Sequence, residues 1–252
     1  MHPNLFLLGA GKCGTTSLHH VLGCHPDIHA STPKEPSFFC SYFQVISNPI
    51  AYFSLFHSDA RYRVDASHVY FSNPETPPIL KGLFPSAKFI VILRDPKRRA
   101  YSLYQHMRRA LHADGQPMEV LGSFREALFA EEERFASPEF FQTCRHYFYN
   151  FMYVRSSLFD LQIDRYFSLF PRDHFLFLSL AELRHQPQAT REKLAAFLTV
   201  SASGFGDTIP EANRAPAYAP YDPACETFLA GRFAGLTDRV EALIGQRLDW
   251  SC

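Results

Sequence analysis

Three runs of consecutive apolar residues dominate the chain: Leu5 to Leu8, Phe89-Ile90-Val91-Ile92-Leu93 after Lys88, and Phe175-Leu176-Phe177-Leu178 after His174. None alternates with polar positions, so each predicts a strand buried on both faces, as in a parallel sheet. After the first run, Thr15 to Leu22 reads as a helix stopped by Gly23 and Pro26. After the second, Asp95-Pro96 predicts an N-cap with proline at the first helical position, opening a helix to about Ala110. Segments 147–170 and 222–245 predict further helices, with Leu158, Leu161, Tyr166 and Leu169 at helical spacing. Segments 111–121 and 199–221, rich in Gly, Pro and small residues, predict loops. Strand, turn and helix in repetition predict an α/β class, with a central parallel sheet flanked by helices in three layers. Without a repeat or a Gly/Ser linker, residues 1–252 read as one domain, with 111–146 as a lid or insertion.

Composition narrows the function. Apolar residues make up 46% of the 252, with 25 Phe and 12 Tyr, which excludes disorder. Lys plus Arg and Asp plus Glu are 25 each, so the chain lacks the global positive field of a nucleic-acid binder. Six cysteines, at 13, 24, 40, 144, 225 and 252, form no CxxC pair and no His/Cys cluster at zinc spacing. The expectation is no metal and reduced thiols in a cytoplasm. The first apolar run is far below the ~20 residues of a membrane span, and no targeting segment or membrane span is read. Nothing in the sequence speaks to oligomeric state.

Charge is concentrated locally. Between 94 and 109 six basic residues face one acid, while between 119 and 139 six glutamates face two arginines. The first run ends in Gly9-Ala10-Gly11-Lys12-Cys13-Gly14-Thr15-Thr16-Ser17. A strand entering a glycine-rich turn that opens a helix aims backbone N–H groups and the helix dipole at one point, which makes an anion cradle. A Walker A loop would need glycine where Phe6 stands and Ser or Thr where Cys13 stands. The plain alternative is a tight turn with an exposed lysine. The second run delivers Arg94 to the end of a buried strand, the edge where open α/β sheets bind ligands. A solvated basic helix face accounts for Lys97, Arg108 and Arg109, but not for Arg94.

Taken together, Lys12-Cys13-Gly14-Thr15-Thr16-Ser17-Leu18 and Arg94-Asp95-Pro96-Lys97-Arg98-Arg99-Ala100-Tyr101-Ser102 resemble the two nucleotide motifs of the sulfotransferases that use 3′-phosphoadenosine 5′-phosphosulfate (PAPS). The likeness is to the branch holding the heparan sulfate sulfotransferases and their bacterial relatives, and it implies a P-loop nucleotide-hydrolase-like sulfotransferase fold. By that resemblance Lys12, Cys13, Gly14, Thr15, Thr16 and Ser17 hold the 5′-phosphosulfate, while Arg94 and Ser102 hold the 3′-phosphate. Lys34-Glu35-Pro36-Ser37-Phe38-Phe39 is similar to a family segment whose glutamate is the catalytic base. Asp65-Ala66-Ser67-His68-Val69-Tyr70 is similar to a segment near the acceptor. Asn213-Arg214 with Tyr218, and Leu248-Asp249-Trp250, resemble its C-terminal region, which adds Arg214 to the nucleotide contacts.

The resemblance implies in-line sulfonate transfer from PAPS to a hydroxyl of a carbohydrate, glycolipid or small molecule, leaving adenosine 3′,5′-bisphosphate (PAP). Lys12 stabilises charge on the leaving phosphate and Glu35 serves as base. Asp65 orients the acceptor or shares the proton. Lys34, Phe38, Ser67 and Tyr70 stand on the acceptor side. His68 and His106 remain rival bases. Phe140-Phe141, Tyr147-Phe148-Tyr149, Phe151 and Tyr153 read as core or as an acceptor platform. A P-loop-type kinase and a catalytically inactive nucleotide-binding module are the alternatives, and the near-neutral charge points away from a heavily sulfated acceptor.

Overall fold

The computed structural model describes residues 1–206 and 221–252. Five parallel strands form one sheet: β1 (Leu5–Gly9), β2 (Ile28–Ala30), β3 (Tyr62–Asp65), β4 (Lys88–Leu93) and β5 (Phe175–Ser179). Their order is β2-β3-β1-β4-β5. The three apolar runs are thus the adjacent strands β1, β4 and β5. The short β2 and β3 have too few residues for a periodicity to register.

Helices α1 (Thr15–Gly23), α2 (Pro49–Ser54), α3 (Val69–Ser72), α4 (Thr76–Leu83) and α5 (Pro96–Arg109) come from the first half. Then follow α6 (Phe124–Phe129), α7 (Glu131–Ala136), α8 (Pro138–Thr143), α9 (Phe159–Phe167), α10 (Leu180–His185), α11 (Pro187–Leu198), α12 (Pro223–Arg232) and α13 (Leu236–Ile244). Register brings Phe6 beside Phe89 and Phe89 beside Phe175. Their rings follow at 5.7 and 4.8 Å between centroids, an aromatic ladder across the middle of the core. Such ring pairs add to the area they bury.

Two helix expectations are corrected. Segment 147–158 forms the short 3-10 turns Phe148–Phe151 and Arg155–Ser157. The buried Glu131 carboxylate accepts the N–H groups of Val154 (2.7 Å) and Arg155 (2.8 Å), so these donors go to a side chain rather than to a helix ladder. Segment 222–245 is two helices divided at Gly235, which sits at φ 64. Segment 111–146 carries α6 to α8 and is tied inward. Arg134 donates to both oxygens of the buried Glu119 (2.7 and 2.8 Å), and Tyr153 donates to one of them (2.6 Å). Within that acidic stretch Glu119 and Glu131 are internal, Glu126 caps α6, and Glu132 pairs with Arg155 and Arg232.

From β1 the chain goes outward to β2, while from β4 it continues on the other side to β5. The connections diverge between β1 and β4, and a crevice opens there at the C-terminal ends of the strands. Lys12 and Arg94 follow those two strand ends.

Candidate active site

The turn after β1 has an unusual backbone. Lys12 sits at φ 74 and Gly14 at φ 96, both left-handed. A Cβ on Gly14 would stand 2.8 Å from Leu180 Cδ1, so glycine is required for space as well as for conformation. Gly14 is the N-cap of α1, and no side chain caps the helix. The start of α1, with its helix dipole, thus faces the sheet edge without a capping side chain, the arrangement that favours an anion. Cys13 faces inward: its thiol is fully buried and pushed up to about 11 by burial, and its N–H donates to Ala10 O (3.2 Å). It sits in the turn without presenting a group to the cleft, which corrects its expected contact with the donor. Thr15 and Ser17 are buried and Thr16 half-buried.

Arg94 is buried at the end of β4 and donates to Lys12 O at 3.4 Å. Lys12 is lowered from its ordinary value by burial, then by the charges of Arg109 and Arg94. Three cations are thus close enough to oppose one another. Arg109 is exposed, as expected of a solvated face, and its charge still reaches Lys12. Ser102, His106 and Arg109 stand at i, i+4 and i+7 on α5, the spacing of one helix face. That spacing was the signal available in the sequence. Lys97, by contrast, pairs with Glu226, and Arg108 donates to Glu119 O.

Sequence reasoning missed Arg99. It is 2% exposed and donates from Nε to Gly11 O (3.0 Å) and from Nη1 to Ser156 Oγ (2.5 Å) and Ser157 Oγ (2.9 Å). It holds the donor-side turn from beneath.

The loop after β2 brings Glu35 to the same edge. Glu35 (φ 66) and Ser37 (φ 52) are non-glycine residues in left-handed conformations, each costing roughly 1–3 kcal/mol. The Glu35 carboxylate is gripped by Lys34 Nζ on one oxygen and His68 Nδ1 on the other. Burial alone would raise its pKa. The charges and hydrogen bonds of His68 and Lys34 outweigh burial and hold it well below the usual carboxylate range. The His68 ring packs on Gly11, where a Cβ would meet it at 3.0 Å, so His68 bridges the Glu35 loop and the turn after β1. His106, an exposed residue on α5, lies within electrostatic reach of Lys12, His68 and Arg109, and partial loss of solvent around its ring followed by those charges lowers it to about 4. His146 is likewise lowered to about 4, by burial and then by His68 and His106.

Asp65, Ser67 and Tyr70, expected at the acceptor, lie beneath the cleft with no exposed surface. Asp65 accepts from Ser67 Oγ (2.6 Å), Ser67 N (3.1 Å), Tyr52 OH (2.8 Å) and Tyr70 OH (3.0 Å). Burial pushes it up to about 6 against the pull of those donors. Phe38 is half-buried and stacks on Tyr52 at 4.3 Å between centroids. Among the aromatics weighed as an acceptor platform, Tyr147, Phe148, Phe151 and Tyr153 are buried in the core. Asn213, Arg214 and Tyr218 lie outside the described residues.

A nucleotide-type cradle, a cluster of cations and a carboxylate on one sheet edge define a group-transfer enzyme of the α/β P-loop-like class. The sulfotransferase domain model matches residues 2–213, and the chain belongs to the sulfotransferase family, whose members use PAPS. It is 26% identical over 207 residues to the bifunctional heparan sulfate N-deacetylase/N-sulfotransferase 1 of Caenorhabditis elegans, covering 81% of this chain. It is 27% identical to the human enzyme 2 of that name, also over 207 residues and covering 79% of this chain. The chain spans 23% and 22% of the length of these curated relatives. A crystal structure of a sulfotransferase from Alicyclobacillus acidocaldarius superposes with a TM-score of 0.79 at 32% identity, covering 98% of each chain. Mouse sulfotransferase SULT7A1 complexed with PAP shares the fold at a TM-score of 0.61 and 15% identity, covering 96% of this chain and 87% of its own. Among the described residues no helix is long and apolar enough to cross a membrane.

Proposed function

We propose that this sulfotransferase moves a sulfonate from PAPS to a hydroxyl of a carbohydrate, glycolipid or small-molecule acceptor, as one cytoplasmic domain working without a metal. The observation that carries the reading is Lys12 in the left-handed turn that opens α1, with the buried Arg94 donating to its carbonyl and Glu35 held at the same sheet edge. Cations packed closely enough to depress a lysine call for an anion between them, and a bisphosphate nucleotide supplies charge at two points. When bound, PAPS supplies an activated sulfonate whose transfer leaves negative charge on a phosphate oxygen. Lys12 and the first-turn N–H groups of α1 hold that charge through preorganised donors. Arg94 and Ser102, joined by Arg214, hold the 3′-phosphate. Glu35 accepts the acceptor proton, Lys34 steadies the sulfonate as it passes from the phosphate oxygen to the acceptor oxygen, and Phe38 flanks the acceptor. Segment 111–146 forms an acceptor-side wall, supported by the reach of His146 to His68 and Glu35.

A second reading of the base has its own support. Glu35 is a weak proton acceptor while paired with Lys34 and His68, and when the imidazole is neutral its Nδ1–H bond to Glu35 leaves Nε2 as the other basic atom of the pair. In that version His68 takes the proton and Glu35 orients it. Glu35→Gln is expected to abolish turnover with PAP affinity nearly unchanged if Glu35 is the base. Retained turnover that disappears in His68→Gln assigns the base to His68.

The deciding experiment is calorimetry with PAP and with ATP plus magnesium, followed by mass spectrometry of products from PAPS and a panel of oligosaccharides, glycolipids and phenols. PAP binding without magnesium and a sulfonated product are expected. Tight binding of ATP with magnesium and none of PAP would overturn the reading in favour of a kinase. PAP binding without any product from the panel would favour an inactive nucleotide-binding module.

A further inference from the structure

The three consecutive residues 37, 38 and 39 each rest on a different side chain bound to Asp65. Ser37 N donates to Ser67 Oγ (2.9 Å), Phe39 N donates to Tyr70 OH (3.2 Å), and the Phe38 ring stacks on Tyr52. All three hydroxyls in turn donate to the Asp65 carboxylate. A carboxylate only accepts, so it commits the single proton of each hydroxyl inward. The lone pairs of Ser67 and Tyr70 are thereby turned outward, toward the loop N–H groups. Two left-handed residues persist in this loop only if their surroundings over-determine them, and the Asp65 hub supplies that determination.

We propose that Asp65 is the positioning residue of the base loop, fixing the polarity of the Ser67 and Tyr70 hydroxyls so that they hold residues 37–39 and aim Glu35 at His68 beside the donor turn. The proposal rests on the reading of the Glu35–His68 pair as the proton-accepting site. It assigns Asp65 no contact with the acceptor and no proton transfer. The neighbouring His68 reaches Glu35 directly, so one short turn, 65–70, grips the base loop at three points, and Tyr52 adds a fourth from α2.

The test uses the full chain at pH 8, where Asp65 is ionised, with Ser67→Ala, Tyr70→Phe and Asp65→Asn. The first readout is the His68 Nδ1–H resonance by NMR with PAP present, which does not depend on turnover. It should be visible in the parent protein, and shifted or lost in Ser67→Ala and Asp65→Asn while PAP affinity stays within about twofold. The second readout is PAP release from PAPS with the acceptor panel. Each variant should lower kcat roughly 10- to 100-fold with little change in KM for PAPS, the range expected for an ångström-scale misplacement. An unmoved His68 resonance in both Ser67→Ala and Asp65→Asn overturns the proposal. So does a kcat at the parent value in all three variants, or a loss that falls on PAP affinity and KM for PAPS instead, which would mark a purely structural role. Failure of the parent chain to bind PAP would instead overturn the functional reading on which the proposal stands.

Discussion

Arg99→Met isolates the support of the donor turn. Arg99 is buried, and among the described residues no carboxylate pairs with it at ion-pair distance; its acceptors are Gly11 O and the hydroxyls of Ser156 and Ser157. Burial lowers it to about 10. Methionine preserves length and apolar packing but removes every donor. The two serines stay satisfied, because Ser156 Oγ also donates to Met152 O and Ser157 Oγ to Tyr153 O. Gly11 O is the group left orphaned, a loss worth about 1–3 kcal/mol, and relief of the buried charge offsets part of it. Because the orphan lies in the anion cradle, the loss should appear as weaker nucleotide binding. An expected 1–2 kcal/mol corresponds to roughly 5- to 30-fold in Kd for PAP. Arg99→Lys should fall between, since an ammonium cannot reproduce the planar fork. Ser156→Ala should lower stability alone, because the bond to Gly11 remains. Calorimetry with PAP and urea denaturation separate the two effects. If Arg99→Met loses stability yet binds PAP as tightly as the parent chain, the turn does not depend on this support and the reasoning is wrong.

Arg94→Ala should weaken PAP binding by about 2–5 kcal/mol, the range for removing one partner of a buried charge pair, and an unchanged Kd would remove it from the phosphate site. Arg134→Leu leaves Glu119 buried without its cation, so a loss of about 3–5 kcal/mol is expected by urea denaturation; under 1 kcal/mol would show that Tyr153 and Leu121 satisfy Glu119 alone. Gly14→Ala meets Leu180 and keeps φ 96, so a double-mutant cycle with Leu180→Ala should recover only part of the lost stability. For pH, the folded chain holds protons on His106 and His146 less tightly than the unfolded chain, with both lowered to about 4. Their stabilisation is present above the ordinary histidine range and is lost as pH falls from about 6.5 toward 4. His146→Gln should flatten that loss in thermal melts, and an unaltered slope would refute the assignment.

The placement of Lys12 and Arg94 after adjacent strands was legible because its signals are contiguous: an apolar run, a glycine-rich turn and a helix start, and a second apolar run ending at Arg94. Glu35 was legible through its resemblance to a family segment. What stayed hidden depends on partners distant in sequence. Arg99 acts on a carbonyl 88 residues away and on serines 57 and 58 residues away, so no local pattern marks it as buried. Ser67 and Tyr70 look like exposed polar groups until Asp65 is seen to draw their hydroxyls inward. Segment 147–158 has helical composition, yet Glu131 captures its N–H groups from a separate helix. Within the acidic stretch, Glu119 and Glu131 are buried against partners that no local pattern reveals.

The loop carrying Glu35 and the turn after β1 both lie on the β2-β3-β1 side of the point where the strand connections diverge, and the six residues from Asp65 to Tyr70 touch both. For protein engineering this makes that turn an adapter. Residues 31–56 could be exchanged for those of another family member to alter acceptor choice, provided 65–70 travels with them and Gly11 is kept to receive the histidine ring. Swapping the acceptor loop without its adapter would leave a well-built donor site facing a misaligned base.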